Sequence, residues 1–141
     1  MLEKEKIIQH LRAQGFRITK TREAMIELFT EVQKPISANL VLTKLQKNFS
    51  FSVHKVTIYR ELDFLEEEKI LQSVDFGDLK KRYELRFRAH HHHVVCTSCH
   101  RIEDVVLLGH LKKEIATIQK QKHFCVTSHA LEFFGLCAKC R

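Results

Sequence analysis

The sequence predicts an α+β protein with two domains, a winged helix over residues 1–88 and a small α/β domain over residues 89–141. Three observations lead to this prediction. Apolar residues in the first half recur at helical spacing, and two short strand patterns around a Gly-Asp turn follow them. The composition then changes at Ala89-His90, after which histidines and cysteines dominate. Several short helices followed by a two-stranded hairpin is the order of elements in a winged helix.

Two helices are predicted before the proline of the chain. The first runs from Leu2 to Ala13 and ends near Gly15, a residue type that favours the position after a helix. Thr19 or Thr21 can cap the second helix, which ends before Pro35.

Two more helices are predicted between the proline and the hairpin. Ser37 can cap the third, whose predicted buried stripe consists of Leu40, Val41 and Leu45. Ser52 is predicted to open the fourth, which ends in the charged run at residues 66–69. The helical pattern of the fourth is carried by Val56, Ile58, Tyr59, Leu62, Phe64 and Leu65.

Strand patterns occur in both domains. The first domain contributes two, separated by the turn signal Gly77-Asp78, and the second contributes three. In chain order they are Ile70–Phe76, Arg82–Phe87, Val94-Val95, Ile102–Leu107 and Ala130–Phe134. An amphipathic helix is predicted within the second domain over Leu111–Gln121.

The charge balance favours an anionic partner such as nucleic acid. The chain has 24 basic and 17 acidic side chains, a net charge of +7. No apolar run approaches the ~18 residues of a membrane-spanning helix. The first twenty residues are charged where an export signal would be apolar. We therefore expect a cytoplasmic protein with no membrane partner.

Two Cys-x-x-Cys pairs predict a structural zinc site. Each pair, Cys96 with Cys99 and Cys137 with Cys140, can aim two thiols at one ion from a single turn, and together they supply four ligands. Four protein thiolates leave no position for substrate or activated water, so this zinc is expected to be structural. Cys125 stands apart and is predicted to be a small buried side chain, with an extra thiol ligand or a redox sensor as the alternatives.

The run His90-His91-His92-His93 predicts further metal sites. In an extended segment, alternate residues point to opposite faces, so His91 and His93 would share one face while His90 and His92 share the other. One strand could then supply two sites, unless the run is a surface tract with no ligand role. Candidate partners elsewhere in the sequence are Glu84, Glu103, Asp104, His110 and His129. Imidazole with carboxylate suits ferrous iron, zinc, manganese or nickel.

A series of motifs occurs along nearly the whole chain: Thr19-x-x-Arg22, Thr57-Ile58-Tyr59-Arg60, Tyr83-Glu84-Leu85, the histidine run, Cys96-x-x-Cys99, His129 and Cys137-x-x-Cys140. In this order and combination they resemble the ferric uptake regulator family. The resemblance implies a homodimer, paired through its C-terminal domains, that presents two winged helices to double-stranded operator DNA. It further implies a repressor of metal-homeostasis genes for which metal is the corepressor.

The resemblance also implies roles for individual residues. Tyr59 would contact thymine methyl groups, Arg60 and Arg22 would contact phosphates, and Arg17 would approach the minor groove, with Thr57 in the same recognition motif. From residue chemistry alone, Tyr59 and Arg60 combine an aromatic ring with a fork-shaped phosphate donor, the alternative being core packing and a solvated charge. A regulatory Zn²⁺ or Fe²⁺ site would use Glu84, His91, His93 and Asp104. An additional site would use His90, His92, His110 and His129.

Two departures from the family pattern bear on the metal. Pro35 stands where iron- and peroxide-sensing branches carry a histidine, and residues 85–88 lack the cysteine of many zinc sensors. The segment Leu131–Cys137 and the unbroken histidine run are more similar to the zinc uptake regulator branch. A peroxide-sensing regulator of the same family is the closest alternative.

Two other classes of protein compete with a regulator. A zinc hydrolase would need a helical His-Glu-x-x-His or a nucleophile motif, and the sequence has neither. Because both motifs are absent, we predict that the chain is not an enzyme. A metal-storage protein would have no use for a winged helix.

Overall fold

The computed structural model describes residues 2–49, 52–109 and 111–141. The chain folds into two compact units, one ending at Phe87 and one beginning at Arg88. Both units combine helix with sheet, so the predicted α+β class is confirmed. Within the described residues, no helix combines the length and the apolar character that crossing a membrane requires.

In the described part of the first unit the helices are α1 (Leu2–Ala13), α2 (Lys20–Glu31), α3 (Ala38–Asn48) and α4 (Lys55–Glu67). The end of α1 matches its prediction, because Gly15 has a φ of 85° and the Phe16 amide donates to the Leu11 carbonyl (3.0 Å), as in a Schellman motif. Thr19, rather than Thr21, caps α2 by accepting the amide N–H of Arg22 at 3.1 Å. Local interactions therefore fix the end of α1 and the start of α2.

A three-stranded antiparallel sheet completes the first unit. Its strands are β1 (Ile36–Ser37), β2 (Leu71–Val74) and β3 (Arg82–Leu85), in the order β1-β3-β2. The predicted hairpin of β2 and β3 is confirmed, and both strands are shorter than predicted. Strand β1 was not predicted, because two residues before a helix cap carry no periodic signal. Its pairing with β3 ties the start of α3 to the hairpin.

The core of the first unit comes from the inner faces of its helices and the hairpin. The largest fully buried apolar side chains are Leu11, Met25, Ile26, Phe29, Ile36, Leu45, Ile58, Leu62, Leu65, Ile70 and Leu71. Their spacing on each helix follows the three- and four-residue repeat of the sequence. Burial of these side chains holds α4 against the unit and leaves its opposite face to solvent.

The second unit contains β4 (His92–Cys96), β5 (Ile102–Val105), α5 (Lys112–Lys122) and β6 (Glu132–Gly135). Its sheet has the order β5-β4-β6, with β4 antiparallel to β5 and parallel to β6. The central strand β4 therefore joins the end of the histidine run to the first cysteine. Both cysteine pairs lie at the same edge of this sheet, because Cys96 is in register with Gly135, two residues before Cys137.

Two sequence predictions about packing are wrong, the start of α4 and the burial of Leu40. Helix α4 begins at Lys55 instead of Ser52, because residues 52–54 are non-helical and carry Val53 into the core at 4% exposure. Leu40 is 40% exposed, so the buried stripe of α3 consists of Ala38, Val41 and Leu45. Helix α5 has the predicted location and no buried residue within a single chain.

Candidate metal centres and nucleic-acid interface

The four paired cysteines form one cluster in the second unit. Cys96 ends β4 and Cys99 follows in a turn, while Cys137 and Cys140 occupy a similar turn after β6. The four Sγ atoms lie within 4.8 Å of one another, and the Sγ atoms of Cys99 and Cys137 are 3.7 Å apart. All four thiols are free of disulfides. The four cysteines that the Cys-x-x-Cys spacing predicted to lie together therefore form one cluster.

Backbone N–H groups stabilise negative charge on this cluster. The Sγ atom of Cys96 accepts the amide N–H groups of Cys99 (3.5 Å) and Cys137 (3.4 Å), and these bonds hold the pKa of the Cys96 thiol at about 6. At Cys140 the Ser98 hydroxyl lowers the pKa, but the thiols of Cys137 and Cys99 outweigh it and raise the pKa to about 11. Four thiolates can coexist here only if a cation balances their charge.

The cluster fits tetrahedral zinc. Ligand sulfurs at the usual Zn–S distance of about 2.3 Å would be ~3.8 Å apart around a tetrahedron. The separation between the Cys99 and Cys137 sulfurs, 3.7 Å, matches that spacing. A zinc ion held by Cys96, Cys99, Cys137 and Cys140 would have its coordination filled by protein thiolates. Such an ion would clamp the turn after β4 to the turn after β6.

A second cluster consists of His90, His92 and His129. The Nε2 atoms of His90 and His92 are 3.3 Å apart, and those of His129 and His90 are 3.2 Å apart. Two nitrogens bound to one tetrahedral zinc at about 2.05 Å would be ~3.3 Å apart, so the three imidazoles fit one metal ion. Burial, followed by the neighbouring His129, lowers the pKa of His92 and so favours the neutral ring that binds metal.

A third group lies on the other side of β4. The rings of His91 and His93 are in edge contact, with centroids 4.9 Å apart. The register of the sheet places His93 directly opposite Asp104, and its Nε2 atom is 3.8 Å from the Asp104 carboxylate. The predicted alternation of the histidine run is therefore confirmed: His90 pairs with His92, and His91 pairs with His93.

Glu84, the remaining predicted ligand, belongs to the first unit. It lies in β3 at 1% exposure, and its Oε1 atom accepts a hydrogen bond from the Gln72 side chain at 2.9 Å. Gln72 is its directly opposed partner on β2. A buried carboxylate costs free energy unless it is hydrogen-bonded or paired with a cation, so Glu84 has the character of a metal ligand as well as of a structural acceptor.

Helix α4 presents a polar face to solvent. Its inner positions Ile58, Leu62 and Leu65 are fully buried, whereas Tyr59 is 41% exposed. The other exposed side chains near its start are Lys55, Val56, Thr57 and Arg60. The Lys55 ammonium lies 5.8 Å from the centre of the Tyr59 ring. The sequence alternative that Tyr59 is a core residue is therefore wrong.

Two predicted arginines differ in their surroundings. Arg22 donates two hydrogen bonds to the Glu61 carboxylate (2.8 and 3.2 Å) and one to the Arg17 carbonyl (2.8 Å), and its guanidinium lies 3.6 Å from the centre of the Phe64 ring. These contacts join α2 to α4, and the phosphate contact of Arg22 stays a prediction. The Arg17 side chain is exposed, which suits a DNA contact.

Some sequence expectations fall outside these clusters. His110 lies outside the described residues. Cys125 is exposed within the single chain, so its predicted burial is wrong; it lies in the irregular segment between α5 and β6. Neighbouring residues of a strand point to opposite faces. Asp104 therefore faces His93, whereas Glu103 pairs with Arg101 at 2.7 Å.

Sequence reasoning missed Arg88. Its guanidinium donates to the Asp104 carboxylate and lies 3.3 Å from the Nε2 atom of His91. The available signal was a cation two residues before the histidine run. The contact depends on the pairing of β4 with β5, which the sequence does not specify residue by residue.

A winged-helix unit followed by a unit with a four-thiol cluster and two imidazole groups defines a class of metal-binding regulator. The ferric uptake regulator family model matches residues 13–134, and the chain belongs to this family. The family comprises metal-responsive transcriptional regulators, including peroxide sensors.

Individual relatives agree with this assignment. The chain is 31% identical to the ferric uptake regulation protein of Campylobacter jejuni, with 99% of this chain and 88% of that protein covered. It is 29% identical to the peroxide-responsive repressor PerR of Staphylococcus aureus, with 99% and 92% covered. The fold is similar to that of the Helicobacter pylori ferric uptake regulator, a structure described as having three functional metal binding sites, with a TM-score of 0.81 at 20% identity and coverage of 96% and 89%.

Proposed function

We propose that this chain is a homodimeric repressor of metal-homeostasis genes, whose binding to operator DNA depends on Zn²⁺ or Fe²⁺. The observation that carries the proposal is the coexistence of a closed four-thiol cluster with separate imidazole groups in one small unit. A closed structural site cannot respond to changing metal supply, whereas imidazole and carboxylate ligands release metal more readily. The second kind of site is therefore the sensor. A cytoplasmic location is part of this proposal, because the target is chromosomal DNA.

The proposed metal sites have different tasks. Structural zinc on Cys96, Cys99, Cys137 and Cys140 holds the second unit in shape. The regulatory ion is proposed to bind Glu84, His91, His93 and Asp104. An additional ion is proposed to bind His90, His92 and His129. Of these ligands, Glu84 belongs to the first unit and the other three belong to the second.

The proposed DNA interface is the exposed face of α4. Tyr59 offers an apolar ring to thymine methyl groups in the major groove, and Arg60 offers a phosphate donor. Thr57 belongs to the same face, and Arg17 is placed before α2, where the chain is exposed. The inner face of α4 is fixed in the core, which would hold these side chains in a defined orientation.

Exposed apolar side chains support a dimer through the second unit. Helix α5 buries no residue within one chain, and Ile118 on it is 46% exposed. Other large exposed apolar residues described in the unit are Val94, Val106, Leu108, Phe124, Phe133, Phe134 and Leu136. Apolar surface of this extent usually marks an interaction site. A second copy of the chain would cover it.

The choice of metal follows from weaker signals. Pro35 in place of a histidine ligand disfavours the iron-sensing pattern, and the unbroken histidine run favours zinc, so we propose a zinc-responsive repressor first. Iron is the second choice. The likeness to a peroxide-responsive repressor supports peroxide sensing as the alternative function.

A selection experiment tests this function. Duplexes bound by the zinc-loaded protein are isolated from a random-sequence DNA pool, and their affinity is measured by fluorescence anisotropy with and without added zinc or ferrous iron. We expect metal to tighten binding at least about tenfold in wild type, and not in His91→Ala or His93→Ala, which should remain folded dimers. Equal affinity with and without both metals would refute metal-dependent repression. A response that hydrogen peroxide abolishes only in the iron-loaded form would favour the alternative function.

A further inference from the structure

Arg88 contacts two of the groups that the proposed function assigns to the regulatory metal. Its Nη2 atom donates to Oδ2 of Asp104, and its Nη1 atom lies 3.3 Å from Nε2 of His91. All three residues belong to the second unit. The guanidinium is largely shielded from solvent, with 19% side-chain exposure. A cation of the protein itself therefore faces a carboxylate oxygen and an imidazole nitrogen at once.

The hydrogen-bond pattern fixes the tautomer of His91. Its Nδ1 atom lies 2.7 Å from the Ala89 carbonyl oxygen, which can only accept a hydrogen bond, so Nδ1 carries the proton. A guanidinium is always protonated and can only donate, so the facing Nε2 atom offers its lone pair. A neutral histidine with Nδ1–H bonded to a backbone carbonyl and a free Nε2 lone pair is the usual arrangement of a metal-binding histidine. Arg88 therefore occupies the lone pair that a metal would use.

The carboxylate is held in the same way. Asp104 places Oδ1 at 3.8 Å from Nε2 of His93 while Oδ2 accepts from Arg88. The planar fork of arginine lets one guanidinium reach the carboxylate and the His91 ring together, which the single ammonium of lysine would do less well. The charge of Arg88 compensates the Asp104 carboxylate where a divalent ion would otherwise do so.

We propose that Arg88 is a built-in competitor of the regulatory metal: it holds the donor atoms of His91 and Asp104 in the metal-free protein and must leave them when metal binds. This inference rests on the proposed function, because it takes His91 and Asp104 as regulatory ligands. Breaking charge-assisted hydrogen bonds opposes metal binding, and losing about 1.4 kcal/mol in this way weakens affinity tenfold. Arg88 thus sets the free-metal concentration at which the site fills.

Competition with a chromophoric zinc chelator tests this role. The whole chain is used with zinc on its four paired cysteines, and the affinity for the zinc ion whose binding requires His91 and His93 is measured for wild type, Arg88→Gln and Arg88→Lys. We expect Arg88→Gln to bind that zinc about tenfold more tightly and Arg88→Lys to lie between the two. Arg101→Gln is the matched control. It removes an arginine that is paired with Glu103, the neighbour of Asp104 in β5, and it should leave the zinc affinity unchanged.

The outcomes separate this inference from the proposed function. Unchanged or weaker zinc binding in Arg88→Gln, with wild type binding zinc through His91 and His93, would overturn the competitor role alone. Failure of wild type to bind a zinc ion that depends on His91 and His93 would overturn the regulatory site itself. A readout without added metal is the ¹H–¹⁵N spectrum of the histidine rings: wild type should show His91 as the Nδ1–H tautomer, and an Nε2–H tautomer would contradict the contact with Arg88.

Discussion

Single cysteine residues decide whether the second unit can hold the proposed structural zinc. Cys96 receives two backbone N–H groups, which stabilise its thiolate before metal arrives. The unit has few buried apolar residues, Val95 and Cys96 being the buried apolar positions described after Arg88. A unit with so small a core needs a metal to remain folded.

Replacing Cys96 by serine should therefore remove the structural zinc. Loss of a thiolate ligand opens the site, and we expect the free energy of unfolding of the second unit to fall by more than about 3 kcal/mol. Zinc content by mass spectrometry and urea unfolding provide the measurement. Cys125→Ser is the control, since this thiol lies outside the cluster, and it should retain zinc. A folded, zinc-free Cys96→Ser protein would contradict the structural assignment.

Tyr59→Ala and Arg60→Ala should impair DNA binding in different ways. Tyr59→Ala removes the group proposed to read bases, so it should reduce the preference for the selected duplex over random DNA by about tenfold. Arg60→Ala removes a phosphate contact, so it should weaken binding to both DNAs and lower the slope of log affinity against log salt by about one per subunit. Anisotropy at several salt concentrations distinguishes these effects. Wild-type behaviour of both variants would move the interface away from α4.

At the residue scale, sequence reasoning succeeded where spacing determines geometry. The cysteine pairs and the alternating histidines required only the geometry of a turn and a strand. Asp104 could be named as a candidate, but its position opposite His93 depends on strand register. Arg88 was missed for the same reason, because a long flexible side chain can reach many places.

At the scale of elements, α4 buries one face in the core of the first unit and exposes the other face in a fixed orientation. The boundaries of α1, α2 and α3 could be predicted from Gly15, Thr19 and Ser37, because capping is a local interaction. The start of α4 could not, since His54 makes no capping hydrogen bond through its side chain and burial of Val53 decides the path. Tertiary packing overrides local signals there.

The hairpin should depend on an ion pair at its turn. Asp78 accepts two hydrogen bonds from Arg82 (2.8 and 2.6 Å), and this pairing lowers the pKa of the Asp78 carboxyl below its ordinary value of 3.8. A depressed folded-state pKa gives stabilisation that is complete above the unfolded value and is lost as pH falls below it. Asp78→Asn should therefore be less stable than wild type from pH 8 to 5, and the difference should shrink below about pH 4.

Urea unfolding followed by amide signals of the first unit measures this effect, because that unit contains none of the five cysteines. Asp63→Asn removes an exposed carboxylate of α4 and controls for the loss of one negative charge. Equal stability of wild type and Asp78→Asn at pH 7 would show that the turn geometry alone maintains the hairpin.

At the scale of the whole molecule, exposed apolar surface on the second unit implies a partner. The amphipathic helix α5 could be predicted from the sequence. The surface that packs on α5 could not, because the repeat of apolar residues along a helix does not identify its packing partner. Ile118→Glu should shift the protein from dimer to monomer, since a charge would be buried in the proposed interface. Sedimentation velocity measures the shift. Gln119→Glu adds the same charge one residue away and should remain dimeric; a dimeric Ile118→Glu would exclude this face of α5.

The central claim is that regulatory metal and operator DNA bind one molecule with a shared coupling free energy. Coupling between two ligands is reciprocal, so the factor by which metal tightens DNA binding must equal the factor by which DNA tightens metal binding. The most direct test is the zinc affinity of the regulatory site, measured in buffered free zinc with and without saturating selected duplex. We expect the duplex to tighten zinc binding at least about tenfold, and His93→Ala to abolish this change. Identical zinc affinity with and without bound DNA would contradict it.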